Sequence, residues 1–175
     1  FDRAEALARE ALARDPDQPR MVRLRAQSLL KAGKTAEANK LLEDGVAKEP
    51  DNREFVVGLA DLYADQKRTA DAVRVLEQAR KTFGDDQAIA MRLANVYEAG
   101  GRLDEAEKEL RRLMSADPLN ADAMNSLGYM LADRGLRLPE AVDLAERAVK
   151  IEPANPAYLD TLGWALFKQG RTEEA

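Results

Sequence analysis

The chain has 175 residues, of which 45% are hydrophobic, 34% charged and 5% aromatic, with a net charge of -5. It contains neither Cys nor His, which removes disulfides, thiolate metal sites, cysteine nucleophiles and the commonest general base near neutral pH. The acidic balance argues against nucleic acid, whose binding is driven by clustered Lys and Arg, and no apolar run approaches the roughly 18 residues of a membrane span.

In chain order, residues 1–18 are predicted to form one helix that ends in ALARDP. A helix, short turn, helix, short turn unit is then predicted over 19–52, and again over 53–86, 87–120 and 121–155. One further helix opens the final segment, 156–175, which breaks off at RTEEA. The count is ten helices. The terminators Pro16, Pro50, Gly84, Pro118 and Pro153 close five similar stretches at spacings of 34, 34, 34 and 35, so the chain is read as a single array of repeats. In the 121–155 unit the turn GLRLPEA is one residue longer and sets Pro139 in the first turn of a helix, where its missing N–H is harmless.

Numbering each unit from its first residue, position 8 is small (Ala26, Ala60, Ala94, Gly128, Gly163) and position 11 is large (Leu29, Tyr63, Tyr97, Leu131, Leu166). Position 7 is Leu59, Leu93, Leu127 and Leu162, with Arg25 as the exception. Ala38, Ala72, Ala106 and Ala141 hold position 20, and Ala4 and Ala175 fit the partial units. Positions 4, 7, 8 and 11 share one helix face, and a small residue there lets a neighbouring helix come close. Gly33, Gly101, Gly135 and Gly170 fall where the first helix of a unit must stop, as expected of left-handed caps.

This pattern resembles the tetratricopeptide repeat. The resemblance implies an all-α fold, a right-handed α-α superhelix (solenoid) with the first helix of each unit, helix A, lining a concave groove. It places positions 2, 5, 6, 9, 12 and 13 of helix A on that groove. On this basis the candidate partner-binding residues are Arg20, Arg23, Gln27, Lys31, Asp61, Asp65, Met91, Arg92, Asn95, Asp122, Asn125, Tyr129, Asp133, Asp160 and Trp164. Cations dominate the first unit and carboxylates the later ones, so an extended or helical peptide is expected with its acidic part near Arg20 and Arg23 and its basic part near Asp61, Asp65 and Asp133. The Lys and Asn set with which some family members clamp a chaperone's terminal carboxylate is not matched, because Arg23 and Gln27 are followed by Gly58 and Ala88.

No catalytic, cofactor or metal constellation is expected. Asp85 with Asp86 and Glu173 with Glu174 read as helix-start carboxylates. The expected role is that of a non-enzymatic scaffold or adaptor for a protein or peptide. The segments NSLGYMLADRG, PEAVDLAERAVKIEP and AYLDTLGWALFKQGRTEEA also resemble the last repeats of bacterial cell-envelope tetratricopeptide lipoproteins of the protease-adaptor type. That resemblance implies a periplasmic or outer-membrane-anchored protein, with a lipid anchor outside this stretch, since the sequence begins at Phe1 without a signal-like segment. A cytoplasmic assembly module and a self-associating structural module, pairing with another copy through its ends, stay open. In the final segment Tyr158, Leu159, Leu162, Gly163 and Leu166 are expected to pack, while Trp164 and Phe167 fall on the groove face beside a terminal apolar patch.

Overall fold

The structure is a computed structural model and describes residues 18–175. The helix expected over residues 1–18, with Ala4, lies outside the described residues apart from Gln18, which caps the next one. Nine helices and no strand occur among the described residues. They are α1 (Pro19–Lys31), α2 (Thr35–Lys48), α3 (Arg53–Asp65), α4 (Thr69–Phe83), α5 (Gln87–Ala99), α6 (Leu103–Ala116), α7 (Ala121–Asp133), α8 (Leu138–Ile151) and α9 (Pro156–Gln169). Helices α1, α3, α5, α7 and α9 start on the first residue of the expected units.

Each start and stop has a local cause. Asn52, Asp86, Asn120 and Asn155 accept hydrogen bonds from backbone N–H groups one to two residues into the helices that follow, which satisfies donors that a helix cannot pair internally. After α1, the φ of Gly33 is +77°, and Gly101, Gly135 and Gly170 repeat that left-handed turn with φ of 73°, 66° and 86°. At the equivalent place after α3 stands Lys67, at φ 58°. The longer turn before α8 is accommodated by Arg137, which takes φ 43° and ψ 48° as the cap of α8.

A second device recurs at the start of the intervening helices, where a base precedes an acid by three residues. Arg171 donates to Glu174 at 2.7 Å in the turn after α9, and at the helix starts Arg68 donates to Asp71 at 2.7 Å and Arg102 to Glu105 at 2.7 Å, while Lys34 stands 4.0 Å from Glu37 and Arg137 stands 3.4 Å from Glu140. The acid also lies where the positive end of the helix dipole favours it.

The chain falls into two compact units that divide after Gly100. In the first, α1 packs on α2, α3 on α4, and α3 and α5 carry the stack onward. Its core includes Leu29, Leu42, Phe55, Leu59, Leu62, Leu76, Ile89 and Leu93, with Ala26, Ala38, Ala60 and Ala72 fully buried. Tyr63 donates to Glu43 at 2.7 Å and Tyr97 donates to Glu77 at 3.3 Å, the same pair one repeat apart. Arg25, in the place of a core Leu, is half-buried. In the second unit α6, α8 and α9 all pack on α7, and α8 packs on α9. Leu110, Leu113, Met124, Leu127, Leu131, Leu144 and Tyr158 form its core. Glu107 there accepts from Arg111 at 2.7 Å and pairs with Arg137, and Arg111 also reaches Glu140 at 2.6 Å.

The small residues at position 8 act as expected. A Cβ placed on Gly128 would stand 3.1 Å from the carbonyl oxygen of Ala141, the position-20 residue. At the last helix the carbonyl of Ala175 takes up the same station, 3.8 Å from a Cβ built on Gly163.

Candidate functional site

The two units carry separate sites. In the first, the A helices α1, α3 and α5 supply one side chain after another to a cleft of about 330 Å³ lined by Gln27, Asp61, Ala64, Asp65, Arg92, Asn95, Val96 and Ala99. Five of the expected partner-binding residues therefore meet. Asp61 lies 3.3 Å from the Arg92 guanidinium. Burial pushes its carboxyl above the usual carboxylate range, Arg92 and Arg23 pull it back and Asp65 adds to the rise. A carboxylate that is half-desolvated and only partly compensated attracts a further cation. Asn95 is exposed at the cleft rim, and its amide can both donate and accept.

The other expected residues of this unit stand apart from that cleft. Arg20 donates to Glu54 at 3.2 Å, so its charge is matched from the next A helix. The Arg23 stem packs where a Cβ on Gly58 would sit, 3.2 Å away, so this glycine of the expected groove face is buried. Lys31 is exposed at the end of α1 and Met91 is half-buried on α5.

In the second unit a cleft of about 520 Å³ is lined by Tyr129, Leu159, Asp160, Gly163, Trp164, Phe167 and Ala175. It unites three expected residues, Tyr129, Asp160 and Trp164. Trp164 stacks on Phe167 with ring centroids 5.7 Å apart, and the Lys168 ammonium lies 5.1 Å from the indole centre while donating to the Asp133 carbonyl at 3.1 Å. The indole N–H of Trp164 is buried and meets no acceptor among the described residues, and the same holds for a donor to the Asn125 side-chain oxygen. Asp122 is occupied elsewhere, accepting from the Tyr158 hydroxyl at 2.6 Å. Burial and that bond to Asp122 push the Tyr158 hydroxyl well above the ordinary phenol range. Asp133 is exposed and Asn125 half-buried, and neither lines the cleft.

Two assignments on α9 change. Leu159, expected to pack, is 48% exposed, and Thr161, expected on the groove, is 3% exposed. The helix buries Tyr158, Thr161, Ala165 and Leu166 against its neighbours, and no helix among the described residues covers its far side. Leu159, Gly163 and Phe167, four residues apart, consequently form one stripe: Phe167 and the terminal apolar patch belong to the sequence expectation, and Leu159 joins them. Their spacing was the available signal.

Among the described residues no group of His, Cys, Asp or Glu could hold a metal ion, and no helix is long and apolar enough to cross a membrane.

A tetratricopeptide repeat profile matches residues 29–91 and 63–127, and a second tetratricopeptide repeat profile matches residues 1–38. No curated protein sequence matches the chain. Among solved structures, the chain is similar to TTC0263, a thermophilic TPR protein of Thermus thermophilus, at 22% identity and a TM-score of 0.78 over 95% of this chain and 90% of that one. It is also similar to MamA from Desulfovibrio magneticus RS-1, at 20% identity and a TM-score of 0.66 over 89% and 88% of the two chains.

Proposed function

The chain belongs to the tetratricopeptide repeat family, and from that premise we propose that it is a non-catalytic scaffold or adaptor that binds a peptide or protein segment along its A helices. The observation that carries this reading is the cleft to which α1, α3 and α5 each contribute, with Gln27, Asp61, Asp65, Arg92 and Asn95 around it. Its side chains are acceptors and donors spaced along successive helices, suited to an extended ligand rather than to a small molecule that must be enclosed. A sequence without His or Cys offers no obvious nucleophile and base pair for chemistry.

The charges refine the expected orientation. Arg20 and Arg23 face Glu54 and Asp61, so the first unit presents a partly compensated wall with Asp65 unmatched at its cleft among the described residues. A basic residue of the partner is placed there. The test is a photo-crosslinking amino acid at Asn95, with one at Lys81 as control, in extract of the native organism. A protein or peptide crosslinked from Asn95 and not from Lys81 is the expected result. Equal labelling from both positions would overturn the reading.

The finer reading is an adaptor of the bacterial periplasm, tethered by a lipid, on the resemblance of the final repeats. Fractionation of the native organism with an antibody to this chain is the measurement, and recovery in the cytosol alone would refute it.

A further inference from the structure

We propose that Arg92 is a built-in competitor for the partner's cation in the cleft of the first unit. A Lys or Arg of the partner takes Asp61 and Asp65 as the Arg92 guanidinium leaves Asp61, and the freed guanidinium then holds a carboxylate of the same partner segment. The ligand is a bipolar stretch, with a Lys or Arg two residues away from an Asp or Glu. This deepens the scaffold reading and rests on it.

The internal pair is loose. Arg92 stands 3.3 Å from Asp61, beyond the roughly 2.7–2.9 Å of a well-made charged hydrogen bond. Arg53 and Asp86, which link the same two A helices at their starts, meet at 2.7 Å. The Arg92 side chain is 42% exposed against 23% for Asp61, so the guanidinium can swing out while the carboxylate stays in the cleft. Ala64 and Ala99, small residues of the same lining, leave space around the pair.

The carboxylates still call for a cation. With Arg92 on one side and Arg23 on the other, Asp61 stays above the ordinary carboxylate range, because its burial outweighs both. Asp65 is exposed on the same cleft, and no ion pair engages it among the described residues. It lies one turn along α3 from Asp61, and residues four apart on a helix are neighbours, with Cβ atoms about 5–6 Å apart, so one ammonium or guanidinium can meet both. A partner cation arriving while Arg92 is in place would be repelled at close range, and exchange avoids that repulsion. The released Arg92 is left at the rim without a counter-charge. On an extended segment, residues i and i+2 point the same way roughly 7 Å apart, which sets a carboxylate two residues from the bound cation within the sweep of that side chain.

Random peptides displayed on phage are selected in parallel on wild type and Arg92→Gln, and the selected sequences are synthesised and titrated at low ionic strength by fluorescence anisotropy. Arg147→Gln removes an exposed arginine of the second unit and so matches the charge change away from the cleft. The expected wild-type consensus is Lys or Arg two residues from Asp or Glu, and the Arg92→Gln consensus keeps the cation alone. Converting the peptide's carboxylate to its amide should weaken wild type about threefold or more and leave Arg92→Gln unchanged, and Arg92→Gln should bind the amide peptide about threefold or more tighter than Arg147→Gln does. Asp61→Asn and Asp65→Asn should each weaken both peptides. Circular dichroism melts show which variants fold, and if Arg92→Gln does not, the two peptides compared on wild type still decide. Peptides that label a photo-crosslinker at Asn95 yet bind Arg92→Gln and Arg147→Gln equally would overturn the exchange and leave the scaffold reading intact. A purely basic consensus on wild type would overturn it too. Failure to select any peptide, or selected peptides that never label Asn95, would count against both readings.

Discussion

Replacing helical glycines by alanine should stabilise this chain at one position and fail to do so at another. Gly45 and Gly163 both lie inside helices with helical backbone, so each Gly→Ala change should gain about 1 kcal/mol of helix propensity. The surroundings differ. A Cβ on Gly163 meets nothing closer than 3.8 Å, and that gain should appear nearly whole. A Cβ on Gly45 would lie 2.6 Å from Cδ1 and 2.7 Å from Cε1 of Phe55, whose ring is 3% exposed and cannot swing away. Overpacking of this kind costs about 1–3 kcal/mol, so Gly45→Ala should range from neutral to about 2 kcal/mol destabilised once the roughly 1 kcal/mol propensity gain is subtracted. Gly128→Ala, with backbone oxygen at 3.1 Å, should fall between the two. Urea denaturation followed by circular dichroism, with thermal melts in parallel, measures the series. A 1 kcal/mol change moves Tm by about 2–4 °C in a chain of this size. Equal stabilisation by Gly45→Ala and Gly163→Ala would refute the claim that the close approach of Phe55 sets the residue at position 27.

Lys67→Gly should stabilise by about 0.5–1 kcal/mol, since relief of a left-handed backbone worth about 1–2 kcal/mol exceeds the entropy cost of glycine; a lower urea midpoint would contradict this. Tyr158→Phe should cost about 1–2 kcal/mol by removing the hydroxyl bonded to Asp122 from a residue 3% exposed, and an unchanged midpoint would show that bond to be idle. Stability should fall on acidification. Burial works against ionised Asp86, yet the Arg53 hydrogen bond and the N–H groups of Ile89 and Ala88 hold it below 3.8, while hydrogen bonds from Arg137 and Arg111 hold Glu107 below 4.5 against its burial. Depressed carboxyls stabilise the fold above those ordinary values and lose the effect as pH drops through the folded ones, so the urea midpoint should be lower at pH 3 than at pH 7, about one unit or more below both ordinary values. Asp61 has the opposite sign, because burial raises it. Asp61→Asn should therefore raise the midpoint at neutral pH while weakening a basic peptide, and a lower midpoint would show that the pairing with Arg92 outweighs burial.

The repeat was legible because its spacing repeats and its small and large residues recur at fixed places. Ala38, Ala72, Ala106 and Ala141 are all fully buried, and the glycines at position 15 take the left-handed turn. What the pattern could not supply were features set by contacts between repeats. Arg20 reads as an open cation, but Glu54 is 34 residues away in sequence and one helix away in space. Lys67 carries no mark of its strained backbone beyond its place in the period. On α9 the family pattern assumed a helix over Leu159, whereas the exposed side is decided by which neighbours are present to bury it. The clefts were half legible for the same reason: Tyr129, Asp160 and Trp164 came from the groove positions, while Leu159 and Gly163 came from the packing positions.

The pairing of Tyr63 with Glu43 and of Tyr97 with Glu77 bears on how such a gene can change length. Each pair spans 20 residues and crosses from one repeat to the next. Loss of the codons for residues 53–86 would bring Glu43 to the same separation from Tyr97 that Glu77 has now, and the caps and base–acid forks of the surviving helices lie mostly within their own segments. Recombination between neighbouring repeats would thus join surfaces that already fit, so that the chain could be shortened or lengthened by whole repeats without inventing a new interface.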